Sequence, residues 1–217
     1  MFSPDHRMFS PDHFHPTRRN TMQPIEFTGI RGGHGATTVA LAAAATLATR
    51  GPTRIATHDR KALCATVGIA PDGLPLPLTD NLELAGPTEQ ADVIDAGTLN
   101  HTRCRRGHSQ GGPEPLRIGV LRGPDYLGLR TLCEHTGAPL GGLVVISEAG
   151  RALDARDVEQ VSGYPVVAVV DHTPSVARII DAGVFMHRHQ RLREFTQLRY
   201  WLTPTTRTQE TPCTPAD

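Results

Sequence analysis

Residues 28–38 read Thr-Gly-Ile-Arg-Gly-Gly-His-Gly-Ala-Thr-Thr, a glycine cluster followed by two hydroxyls, set between an apolar run and an alanine-rich one. Upstream, 25–30 carries the β-branched and aromatic residues of a short strand; downstream, the alanine-rich 38–50 has strong helix propensity. The glycines therefore fall at a strand-to-helix turn. Such a turn leaves the first N–H groups of the helix unpaired and points its positive dipole end at whatever lies in front, which favours phosphate. Gly32, Gly33 and Gly35 let the backbone wrap an anion without Cβ clashes. In a complete phosphate loop the residue after the last glycine is lysine, and the next is a Ser or Thr whose hydroxyl binds Mg²⁺. Here Thr37 supplies the hydroxyl, and Ala36 stands where the lysine is expected.

Further strands are predicted at 54–59, 91–97, 117–122, 143–147 and 166–171, the last three each followed by a helical stretch. This alternation predicts an α/β fold in three layers, a mainly parallel twisted sheet with helices on both faces. The fold is expected to occupy 22–202 as one domain, flanked by disordered tails at 1–21 and 203–217. The first tail repeats a heptapeptide, with Met1-Phe-Ser-Pro-Asp-His-Arg7 echoed from Met8 to Phe14. The second is rich in Thr and Pro.

The spacing Arg31-Gly-Gly-His-Gly-Ala-Thr-Thr38 resembles the deviant P-loop of the MinD/ParA family of ATPases, Lys-Gly-Gly-x-Gly-Lys-Thr-Thr, and is closest to its CpaE-like branch, where Gly-Ala-Thr-Thr recurs. The resemblance implies a P-loop NTPase-like fold that holds ATP or ADP with Mg²⁺ against Arg31, Gly32, Gly33, His34, Gly35, Ala36, Thr37 and Thr38. Arg31 matches the signature lysine that crosses a dimer to the partner's nucleotide, and Thr37 matches the Mg²⁺ ligand. Asp95, closing the 91–97 strand, matches the carboxylate that sits near Mg²⁺ through water. Asp59 matches the second carboxylate of an Asp-x-Asp that positions the attacking water, while Thr57 replaces the first. Without the lysine, charge that develops on phosphate in the transition state is poorly neutralised, so hydrolysis is expected to be weak or absent. The family's biology implies a homodimer, protein partners in positioning or in secretion or pilus-type assembly, and a cytoplasmic place of action. A degenerate member could also serve as a scaffold that binds no nucleotide.

The same loop fits a second pattern, the Thr-Gly-x-x-x-Gly-x-Gly of short-chain dehydrogenases, in which Asp59 would hold a ribose hydroxyl of NAD(P). That family's Tyr-x-x-x-Lys is missing: Tyr126, Tyr164 and Tyr200 are not followed by lysine four residues later. The paired threonines also favour a metal-linked phosphate over a dinucleotide.

A formal net charge of zero gives no global pull toward nucleic acid or membrane, and no sequence-specific nucleic-acid binding is expected. Lys61 is the only lysine, so it is the one lysine available to compensate for Ala36; an exposed loop position is its more ordinary place. His101, Cys104 and His108 make a weak zinc signal in an arginine-rich loop. Within 184–202, Phe185, Leu192, Phe195, Leu198 and Leu202 share a helical stripe, with arginines elsewhere. That stripe suits packing on the sheet, and its alternative use is peripheral membrane contact.

Overall fold

A computed structural model describes residues 23–73, 75–86, 89–99 and 113–203; the two tails before Gln23 and after Thr203, and the 101–108 histidine and cysteine signal, lie outside the described residues. Strand β1 (Ile25–Gly29) runs through the glycine loop into helix α1 (Ala36–Ala48). There follow β2 (Thr53–Thr57), α2 (Arg60–Val67), β3 (Leu76–Thr79), β4 (Leu82–Leu84), β5 (Val93–Thr98), β6 (Leu116–Arg122) and α3 (Tyr126–Cys133). Next come β7 (Gly142–Ser147), α4 (Ala155–Ser162), β8 (Val166–Asp171), α5 (Pro174–Asp181), the short α6 (Phe185–Arg188) and α7 (Thr196–Trp201).

All eight strands join one sheet in the order β3-β4-β2-β5-β1-β6-β7-β8. Only the β3–β4 edge pair is antiparallel. Strand β5 inserts between β1 and β2, which places Asp95 opposite both Phe27 and Thr57. In the doubly wound dinucleotide fold the first strand pairs directly with the second. The order seen here is therefore not that of the doubly wound dinucleotide fold on which the NAD(P)-binding alternative was built.

Parallel strands buried on both faces alternate their side chains between two cores. On β7, Val144 and Ile146 join Phe27, Ile55 and the alanines of α1 on one face, while Leu143 and Val145 meet Leu129, Leu132 and Val158 of α3 and α4 on the other. This makes the expected three layers. Helix α1 is enclosed almost all round, from Val39 to Ala45 without an exposed residue, which accounts for its run of small alanines.

The carboxyl-terminal segment corrects one expectation. Residues 184–202 do not form a single amphipathic helix: two 3-10 turns, His189–Arg191 and Arg193–Phe195, interrupt it between α6 and α7. The Arg199 guanidinium stitches this break together, its Nη1 donating to the carbonyls of His189 at 3.3 Å and Leu192 at 3.0 Å. The apolar stripe is spent on the core, since Phe185, Phe195 and Leu198 are at most 2% exposed. Packing on the sheet is the use that these side chains have in the fold. Among the described residues no helix is long and apolar enough to cross a membrane.

Candidate phosphate site

The carboxyl ends of β1, β5, β6 and β8 open on one cavity of about 450 Å³. The loop forms its floor: Arg31, Gly32, Gly33, His34, Gly35, Ala36, Thr37 and Thr38 all line it, as do His58, Gly97, Arg122, His172 and Asp181. The whole loop assignment made from sequence is thus brought together.

Gly35 is the N-cap of α1 in the left-handed region, φ 82°, with no side-chain cap and no acidic residue in the first turn. The earliest helical hydrogen bond is from Val39 N to Gly35 O, so the N–H groups of Ala36, Thr37 and Thr38 have no partner within the helix and face the loop end. A Cβ at Gly35 would lie 2.8 Å from Ile146 Cδ1, so the glycine is needed for close approach to β7 as well as for its φ. These are the features of an anion cradle at a helix N-terminus.

Behind the cradle stands Asp95, fully buried. Its Oδ2 accepts from Thr37 Oγ1 and from Thr57 Oγ1, each at 2.8 Å, and Gly97 N approaches Oδ1 at 3.3 Å. Thr57 thus has a role that its mismatch with the family motif did not suggest: it is the cross-strand partner of Asp95 and helps to satisfy the buried carboxylate. His58 Nδ1 lies 3.7 Å from Asp95 Oδ2, an ion-pair separation, and the His58 backbone N–H donates to the Asp95 carbonyl at 3.0 Å. The Asp95 carboxylate raises the pKa of His58 above its ordinary 6.5, against the opposing effect of burial. Gly97, at φ 77°, makes room for this ring: a Cβ there would fall 2.7 Å from His58 Nε2.

Other predicted residues are placed differently. Asp59 is absent from the cavity lining; its carboxylate accepts from Ala62 N at 2.9 Å as the N-cap of α2. The strand ends at Thr57, two residues before it, and this turns His58 rather than Asp59 into the cavity. Lys61 is exposed on the first turn of α2 and does not line the cavity. His34 is directed inward: burial holds its imidazole below 6.5, assisted by the Arg31 charge, and its Nδ1 lacks a partner among the described residues. Arg31 pairs with Asp125 at the start of α3, at 3.6 Å.

Sequence reading missed His58, Arg122 and His172. Each sits at or just beyond the carboxyl end of a parallel strand, the end where ligands bind in open α/β sheets, so strand position alone could have pointed to them.

No family model and no curated protein matches the chain. Among solved structures it is similar to the septum site-determining protein MinD of Pyrococcus horikoshii OT3, complexed with Mg-ADP, at 16% identity and a TM-score of 0.62 over 83% of this chain and 93% of that one. The MinC:MinD cell division protein complex of Aquifex aeolicus gives 13% identity and a TM-score of 0.62, covering 85% of this chain and 98% of that one. A ParA family ATPase of Chlorobium tepidum TLS gives 13% and 0.57, with coverage of 83% and 98%. At these identities the likeness establishes a shared fold, the P-loop NTPase α/β fold of MinD and ParA ATPases.

Proposed function

We propose that this chain is a MinD/ParA-like, CpaE-related nucleotide-binding protein that binds a Mg²⁺-nucleotide and hydrolyses it weakly or not at all. The observation that carries the reading is the hydrogen bond from Thr37 to the buried Asp95 beneath a glycine cradle. A hydroxyl and a carboxylate meeting at the first turn of the helix are the oxygen donors that a hard divalent cation takes, so the residues present suit Mg²⁺. Thr37 would hold the ion directly and Asp95 through water, and the bound ion would offset charge on the phosphates.

The chain's own groups do the rest. The N–H groups at the start of α1 orient the phosphates, and Gly33 and Gly35 keep the backbone clear of them. Ala36 offers no cation at the position from which one would follow charge toward the leaving oxygen. Asp59, engaged in capping α2, would need to leave Ala62 N to position water. Both features support a slow switch or a scaffold over a fast ATPase. In the cell such a protein would use nucleotide-controlled association with a second copy and with protein partners in positioning or assembly.

Mg-ADP that binds only the folded state raises the melting temperature in a concentration-dependent way, whereas NADP does not. A melting temperature unmoved by millimolar Mg-ADP would leave the fold as a docking scaffold only.

A further inference from the structure

Ala36 leaves the cradle without its usual cation, and the cavity wall supplies others. Among the described residues the sole lysine, Lys61, is exposed and does not line the cavity, so the choice there falls between Arg31 and Arg122, both of which line it. Arg31 faces one carboxylate, Asp125, and their charges cancel locally. Arg122 shares its carboxylate. Glu148 accepts from Arg122 Nε at 2.8 Å, and from Arg151 Nε at 3.1 Å and Nη2 at 2.6 Å, so two guanidiniums stand against one acid and the group keeps a net positive charge. Arg122 Nη2 also lies 3.1 Å from His172 Nε2. Arginine can only donate, so His172 Nε2 is the acceptor there, and the guanidinium plane is fixed on two sides. No partner of Arg122 Nη1 is found among the described residues.

Position supports the same choice. A second, narrower cavity of about 90 Å³ opens off the first, and Gly35, Thr38, Arg122 and His172 line both. Arg122 therefore stands where the helix N-terminus and the two cavities meet. Among the described residues that line the two cavities, Asp181 on the wider wall and Asp171 in the narrow slot are the acidic ones. Neither appears among the ion pairs of Arg122.

We propose that Arg122, held by Glu148 and His172, is the cation that meets the phosphates of the bound nucleotide in place of the lysine absent at position 36. This assignment rests on the nucleotide reading above. The test is titration of the full chain with Mg-ADP and, separately, with pyrophosphate. Arg122→Gln is expected to weaken both by about tenfold or more, the worth of a charge-assisted contact, and Arg31→Gln by about threefold or less. Arg122→Gln binding like the unsubstituted protein, or Arg31→Gln losing as much, would overturn the proposal. If Arg122→Gln fails to fold, Glu148→Gln decides: pyrophosphate affinity that changes by about threefold or more in either direction, through the freed charge or the loosened guanidinium, supports the assignment, and unchanged affinity overturns it. Arg122-dependent pyrophosphate binding without Mg-ADP binding would remove the nucleotide reading and keep the cation; binding of neither would remove both.

Discussion

Thr37 Oγ1 and Asp95 Oδ2 are 2.8 Å apart, so the first turn of α1 is tied to the end of β5 through a carboxylate with no solvent exposure. The bond joins the loop that would hold phosphate to the strand that would hold metal. Replacing Thr37 with Val keeps the shape and removes one donor from a buried charge, at a cost of about 1–2 kcal/mol. The loss should appear as a lower urea midpoint, and nucleotide binding should lose its dependence on Mg²⁺. Thr57→Val should cost a similar amount in stability and keep the Mg²⁺ dependence. Equal Mg²⁺ behaviour of the two variants would show that Thr37 is only a structural donor.

His58 gives the fold a pH signature. Its pKa is raised in the folded state by Asp95, so its stabilising contribution is complete below its unfolded value near 6.5 and is lost as pH rises through the folded value. His34 and His189, lowered chiefly by burial, act in the opposite sense: stability falls as pH drops below 6.5 through their folded values. The stability advantage of the unsubstituted protein over His58→Gln should therefore shrink as pH rises above 6.5. Urea midpoints of both proteins across that interval provide the check, and a constant difference would mean that His58 and Asp95 are not coupled.

The loop glycines should differ sharply in tolerance. Gly35→Ala meets a φ of 82° and Ile146 Cδ1 at 2.8 Å, whereas a Cβ at Gly32 meets nothing within 4 Å. Left-handed backbone alone costs an ordinary residue about 1–2 kcal/mol. Gly35→Ala should be destabilised by at least that much and Gly32→Ala by much less, as read from thermal melts. Equal losses would contradict the close packing of the loop on β7.

Phe185 is fully buried in the carboxyl-terminal segment, with Phe195 edge-on to it at a ring separation of 5.8 Å. Phe185→Ala should cost about 3–5 kcal/mol, and Tyr200→Ser, at a side chain 75% exposed, close to nothing. Vesicle binding that falls with Phe185→Ala while stability holds would return this segment to the membrane.

Much of this was legible in the residues. The loop at 31–38 announced a strand-loop-helix cradle because glycine, hydroxyl and alanine each have one strong local reading there. The apolar runs at 117–122, 143–147 and 166–171 were long enough to be strands on their own evidence. The β3–β4 edge was not legible: Leu76-Pro-Leu-Thr79 contains a proline, and Leu82–Leu84 is three residues long, so only pairing with a neighbour makes either a strand. The stripe from Phe185 to Leu202 was read correctly as apolar and wrongly as one helix, because periodicity reports which residues face inward and says little about a backbone break closed by Arg199. Asp59 matched a motif while holding a local signal of equal strength, an Asp three residues before the N–H that it caps. The strand position of β5 between β1 and β2, which separates the two folds that such a glycine loop fits, is a long-range property that local pattern does not encode.

Isothermal titration of the full chain with Mg-ATP, with released phosphate counted in the same sample, tests the central claim most directly. A saturable heat with dissociation constant of about 1 mM or tighter, little phosphate released, and more released by Ala36→Lys is the expected result. A folded protein that gives no heat at millimolar Mg-ATP and Mg-ADP would contradict it and leave the loop of residues 31–38 as a relic of the fold.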